Sequence, residues 1–242
     1  MVPRLLDQQI SLLDYLTSGC AIFGSDGLAA LDQAPPGFDT GLLRLEACFS
    51  HEKRMEKITA LFPHTLRLLG KDQSEIARKF ASACPPTDIS RVENARQFCE
   101  FIQRQEQLEP PYLRDVATCE FSLAKARVAF ESGESDRTED EGAAAGSVRR
   151  ARNVILCKCE YDVRGIFEMG PEDAVPVRRD TLLATLIPPG ARNPQIFEVL
   201  PVTFETLVAL DEWTDSSRLG HAPELDPMLR ELAEHGLIEV RP

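Results

Sequence analysis

The sequence predicts an α+β protein, with an all-α helical N-terminal domain followed by a small winged-helix-like α+β domain of three strands and about three helices. Three observations carry this. Up to about residue 130 the apolar residues recur at helical spacing. The segment ESGESDRTEDEGAAAGS, residues 131–147, is acidic and lacks large apolar side chains, the composition of a chain that buries too little to order itself. Beyond it the apolar period shortens to the alternation of strands. The divisions that follow are a helical domain over 1–131, an acidic flexible linker over 132–147 and an α+β domain over 148–242.

In the first part, Leu6, Ile10, Leu13 and Leu16 form the stripe of an opening helix, and a turn-rich stretch containing GSDG and APPGFD follows. Further helices are expected over roughly 39–69, 73–83, 89–104 and 111–130. Pro63 should break or kink the first of these, because proline lacks the N–H that a helix interior needs. Asp72 with Glu75 has the spacing of a capping box, and Pro110 and Pro111 suit the opening of the last helix. In that last helix Leu113, Val116, Ala117, Phe121, Ala124 and Val128 share a stripe, and Glu120 falls on it. A carboxylate there is either buried or aimed at a partner. A catalytic acid, an interface or intradomain anchor and an ion pair with an arginine of a neighbouring helix such as Arg96 are the open readings, and the anchor and the ion pair suit a lone carboxylate better than catalysis does.

In the second part NVILCKCEYDV alternates, and TLLATLIP and QIFEVLPV are short apolar runs bounded by proline and glycine, so three strands are expected. TFETLVALDEW and PELDPMLRELAEHG read as helices, and GLIEV closes the chain as an apolar tail.

Composition narrows the function. Of 242 residues 43% are apolar, enough to build real cores. The net charge of −12 divides as 15 basic against 18 acidic residues over 1–131, 1 against 5 over 132–147, and 11 against 16 over 148–242. Neither domain is basic, which argues against nucleic-acid binding, since phosphate neutralisation supplies most of that affinity. The opening residues lack a basic leader and an unbroken apolar core, and no apolar run approaches the roughly 18 residues of a membrane span, so a cytoplasmic protein is expected.

The seven cysteines are odd in number and scattered, and read as reduced, small apolar residues. Cys157 and Cys159 lie two apart on an expected strand and so point to one face. No second Cys or His pair stands at ligand spacing, so the pair reads as core or interface thiols, and no metal or cofactor is expected in this chain. Glu46, Glu52 and Glu56, interleaved with Lys53, Arg54 and Lys57, read as a solvated, salt-bridged face. No nucleophile elbow, phosphate-cradling glycine loop or HExxH occurs, so no catalytic residue is expected.

KITALFPHTLRLLGKDQSEIARKFASACPP, then ARQFCEFI and PPYLRDVATCEFSLAKA, resemble a helical domain formerly labelled DNA-binding and encoded beside multinuclear non-haem iron-dependent oxidative enzymes. The resemblance covers about residues 40 to 130 and rests on Phe62-Pro63 with Leu69-Gly70, the prolines at 85 and 86, and Pro111-Tyr112-Leu113 with Glu120. IFEVLPVTFETLVALDEW and ELDPMLRELAEHGLIEV resemble the peptide-recognition elements of ribosomal-peptide maturation. The partner proteins of the thiaglutamate and methanobactin pathways are similar in layout.

The resemblance implies a non-catalytic subunit, heterodimeric with an iron-bearing barrel enzyme, that holds a precursor peptide while the enzyme oxidises its cysteine. It implies a partner interface at Tyr112 and Glu120. The peptide site is expected between the strand Ile196, Phe197, Glu198, Val199 and Leu200 and a helix over 223–235 presenting Leu229 and Leu232 to an apolar groove. Extended peptides bind sheet edges through backbone hydrogen bonds, so such a site needs little side-chain chemistry. The alternatives are a transcriptional regulator with a winged-helix reader and a protein-protein adaptor. Against the first, the would-be recognition helix carries Glu224, Asp226, Glu231 and Glu234 against Arg230, and acidic side chains repel phosphates.

Overall fold

A computed structural model describes residues 5–24, 34–88, 90–133, 146–215 and 225–241; for Gly133, Leu225 and Asp226 it describes the backbone alone. The architecture is α+β, as expected. The chain divides into two compact units, residues 1–110 and 111–242.

The first unit is helical: α1 Leu5–Leu16, α2 Gly19–Phe23, α3 Thr40–Leu61, α4 Pro63–Leu69, α5 Gln73–Ala83 and α6 Arg91–Arg104. Pro63 ends α3 as predicted: Phe62 leaves helical geometry at φ −124°, ψ 48°, and the proline takes the first position of α4, where its missing N–H costs nothing. The core is aromatic. Phe62, Phe80 and Phe98 have no exposed surface, and Phe98 meets Phe62 and Phe80 edge-on at 5.0 and 5.2 Å between ring centroids.

Three local expectations fail in this unit. Asp72 makes no side-chain cap, because the 3₁₀ turn Gly70–Asp72 runs straight into α5 and leaves Asp72 in helical geometry. The stripe of α1 is not core: Leu6, Ile10 and Leu13 are more than half exposed, and the buried residue is Tyr15, packed with Ala21 and Ala47. On α3 the interleaved charges are not all on a solvated face, since Arg54 turns inward and is 7% exposed.

The second unit contains α7 Leu113–Gly133, β1 Ser147–Arg150, β2 Ile155–Asp162, α8 Arg164–Met169, β3 Val177–Leu186, β4 Gln195–Glu198, α9 Pro201–Ala209, β5 Thr214–Asp215, α10 Leu225–Glu234 and β6 Ile238–Val240. Two three-stranded antiparallel sheets form, ordered β5-β1-β6 and β2-β3-β4. The predicted three strands are β2, β3 and β4; β1, β5 and β6 add the other sheet. The polar sequence SVRR of β1 carries no alternation that would announce a strand.

The domain boundary is therefore corrected. The helix over 113–133 belongs with the strands, not with the helices before it, because it packs on β2, β3 and β4. Of the expected linker, residues 134–145 lie outside the described residues.

The β2-β3-β4 sheet carries α7 on one face. Its other face meets the second sheet through Ala151, Val154, Ala184 and Leu186, against which Leu156, Val199 and Leu237 pack. Leu156 and Leu237 also pack on a cluster of Val148, Leu207, Leu210, Leu229, Leu232 and Ile238 under α9 and α10, so one continuous core joins the two sheets. After α10 the Leu237 N–H bonds to the Leu232 carbonyl and the Gly236 N–H to that of Ala233, a Schellman ending. It requires the positive φ of 73° that Gly236 adopts, and a Cβ there would meet Pro189 at 3.1 Å. Trp213, just before β5, lies under the guanidinium groups of Arg149 and Arg241, at 4.4 and 5.6 Å from its ring centroid. No helix among the described residues is long and apolar enough to cross a membrane.

Candidate functional sites: a thiol triad and an open sheet edge

Strand alternation places Cys157 and Cys159 on the face of β2 that meets α7, as their spacing predicts. Helix α7 presents Asp115, Cys119 and Ser122, spaced i, i+4, i+7, so the three lie along one face of it. Cys119, Cys157 and Cys159 converge: their sulfurs all lie within 4.8 Å of one another, and those of Cys119 and Cys159 are 3.9 Å apart. All three are buried, with relative exposures of 0, 9 and 4%.

The thiols do not share a proton affinity. Cys157 is pulled below the ordinary thiol range because Cys119 and Cys159 donate S–H hydrogen bonds to its sulfur. Cys119 is pushed up, foremost because it donates to Cys157. For Cys159 the largest influence, hydrogen bonding with Cys119, lowers its affinity, but donation to Cys157, burial and the charges of Cys157 and Asp115 together push it up.

A bulge follows the triad. The β2-β3 register shifts between Cys159 and Tyr161, which frees backbone N–H groups from the ladder. The Tyr161 N–H donates instead to Asp115 Oδ2 at 2.9 Å, and the Tyr161 ring packs edge-on against Tyr112 at 6.0 Å. Burial raises the Asp115 carboxyl to about 6 despite the amide hydrogen bonds it accepts.

The second candidate is the outer edge of β4. The strand order leaves β4 terminal, and among the described residues no strand pairs with its outer side. The Val199 N–H bonds to the Leu182 carbonyl at 2.9 Å, and Leu183 lies opposite Glu198. In an antiparallel ladder this makes 197/184 and 195/186 the hydrogen-bonded pairs and turns the backbone N–H and C=O of Ile196 and Glu198 outward. The strand is held by charge as well as by its ladder. Arg179 bonds both Asp162 and Glu198, and Arg164 bonds Asp162 at 2.7 Å and Glu198 at 2.7 Å, closing a four-membered ring of ion pairs.

The expected site residues divide. Ile196 is half-buried, Phe197 is 39% exposed, and Glu198 sits in the ion-pair ring. Val199 packs on the core, and Leu200, 69% exposed, caps α9. Leu229 and Leu232 do not line a groove: at 7 and 5% exposure they are core of the β5-β1-β6 side, so the half of the expected peptide site built on them falls away. Glu120, at 2% exposure, is not a surface contact, and of its readings the internal anchor fits its burial. Tyr112 is half-buried against Tyr161. Arg96 forks between Glu93 and Glu100 of its own helix. The outward side chains of α10 include Arg230, Glu231 and Glu234, so its exposed face stays acidic.

Sequence reasoning missed Cys119. It falls between Val116 and Phe121 in an apolar stripe, and the acidic run over 131–147 sets it apart in sequence from its two partners. The signal that finds it is a helix with a thiol on the face that an adjacent alternating strand must cover. No family model matches the chain, and no curated protein matches it.

Proposed function

We propose that the chain is a non-catalytic, peptide-binding subunit that holds a ribosomally made precursor peptide for an iron-dependent oxidative enzyme of barrel fold. The observation that carries the reading is the open edge of β4, with outward backbone groups at Ile196 and Glu198 and exposed Phe197, Leu200 and Val202 in the following residues. A peptide added as a fourth strand gains backbone hydrogen bonds there and rests apolar side chains on Phe197 and Leu200. The resemblance of residues 40 to 130 to partners of such enzymes supports the second half of the reading. The acidic outer face of α10 speaks against the regulator.

The test uses the register. Ile196→Pro removes an outward N–H while leaving every β3-β4 hydrogen bond in place, because proline is tolerated on the free side of an edge strand. A cysteine-bearing precursor peptide encoded beside the chain should bind wild type, and the variant should bind it roughly three- to tenfold more weakly, the worth of about one hydrogen bond. Pull-down of the iron enzyme should be unaffected. Unchanged peptide affinity in a folded Ile196→Pro protein would remove β4 as the site.

A further inference from the structure

We propose that Cys119, Cys157 and Cys159 form a binding site for one thiophilic closed-shell cation, Cu(I) or Zn(II), buried between α7 and the β2-β3-β4 sheet. The inference stands apart from the peptide-binding reading and does not depend on it.

Geometry is the first support. Three sulfurs at about 2.3 Å from a common ion lie about 3.8–4.0 Å from one another, whether the ion sits in their plane or slightly above it. The Cys119–Cys159 separation is 3.9 Å, and no sulfur–sulfur distance in the triad exceeds 4.8 Å, so small side-chain rotations bring all three onto one ion. The ligands come from a long helix and from the middle of a paired strand. Both are rigid elements, and a site on rigid elements is held closer to its coordinating geometry than one on loops.

Chemistry selects the ion. Thiolate sulfur favours Cu(I) and Zn(II) over the hard cations that carboxylates and carbonyls hold. Three sulfurs complete a trigonal Cu(I) site, whereas Zn(II) takes four ligands and would add one from outside the triad. Among the described residues no carboxylate or imidazole joins the cluster: Asp115, the nearest acid on the same helix face, gives its oxygen to the Tyr161 amide. Binding deprotonates the thiols, and their protons leave to the buffer.

The experiment uses the full chain, purified reduced and without oxygen, and titrated with Cu(I) or with Zn(II) against a competing chelator. One equivalent should bind, and X-ray absorption should count three sulfurs at about 2.3 Å: three alone with Cu(I), three plus one lighter atom with Zn(II). Cys119→Ala should weaken binding by more than the roughly 10–100-fold that loss of a mere supporting partner costs a metal site, while Cys84→Ala in the other unit changes nothing. The sulfur count on wild type decides the matter even where a variant folds poorly. Failure of both cations to bind at one equivalent overturns the proposal. So does a sulfur count below three, or an ion that survives Cys119→Ala in a folded protein.

Discussion

Arg54 Nε donates to Asn94 Oδ1 at 2.7 Å across 40 residues of sequence, and the same guanidinium reaches the Cys84 carbonyl and Gln97 Oε1. It also lies 4.3 Å above the Phe80 ring. One buried cation thus fastens α3 to α6 and to the end of α5 through neutral acceptors, and burial lowers its proton affinity to about 10. Such a fork is a structural clamp. It satisfies the buried Asn94 amide oxygen and two half-buried acceptors, and its planar shape is what matches three divergent directions.

Arg54→Ala should therefore destabilise the helical unit by about 3 kcal/mol or more, since each hydrogen bond to a charged group is worth about 1.5–3 kcal/mol and the Asn94 oxygen left behind stays buried. Arg54→Lys should recover little of it, because an ammonium does not reproduce the fork. Urea unfolding followed by the helical circular-dichroism signal measures both. Equal stability of the lysine variant and wild type would contradict the clamp.

Leu229→Ala should cost about 2–5 kcal/mol, the usual range for emptying a leucine site in a packed core, because Leu229 fills the cluster under α9 and α10. Leu229→Glu should fail to fold at all, since a carboxylate there has no charged partner within that cluster. Thermal unfolding is the measurement. A stable Leu229→Glu protein would return this residue to the surface.

The ion-pair ring at β4 predicts a pH dependence. Arg164, then Arg179, hold the Asp162 carboxyl well below the usual carboxylate range, and Arg179 lowers that of Glu198. A carboxyl with a depressed folded-state pKa adds stability above its unfolded value of about 3.9, and that contribution is lost as the pH falls towards the folded value. Wild type should therefore lose more stability than Asp162→Asn between about pH 5 and pH 2, and the two should converge in acid. The ring is partly exposed to water, so the difference should be modest and shrink with added salt. Parallel pH curves for the two proteins would show that the ring does not act on stability.

What the sequence made legible was periodicity. Alternation marked Ile155–Asp162, short apolar runs between proline and glycine marked the second half of Val177–Leu186 and Gln195–Glu198, and Pro63 marked a helix end, because each signal is local. Destination was not legible. Leu6, Ile10 and Leu13 have a helical stripe as regular as a core stripe yet face outward, and Leu229 and Leu232 have one that faces inward. The acidic run after residue 131 drew the boundary to itself, whereas the structural division falls at Pro110 and Pro111 because the helix after them packs on the sheet. That one misassignment hid the thiol triad, since it separated Cys119 from Cys157 and Cys159. The open edge of β4 was legible as a short strand, but its outward register at Ile196 and Glu198 needed the pairing with β3.

Trp213 is the chain's one indole, and the two guanidinium groups over it come from β1 and from the residue just after β6. Arg149 is fixed there by Glu239 at 2.6 Å, and the Arg241 N–H is bonded to the Ser147 carbonyl. Its fluorescence is therefore an internal gauge of whether the C-terminal strand is seated. Unseating β6 withdraws a cation from one side of the ring and wets it, moving the emission to the red, while the first unit carries no indole to add to the tryptophan signal. The docking of the last few residues can thus be timed in the unmodified protein, by light alone.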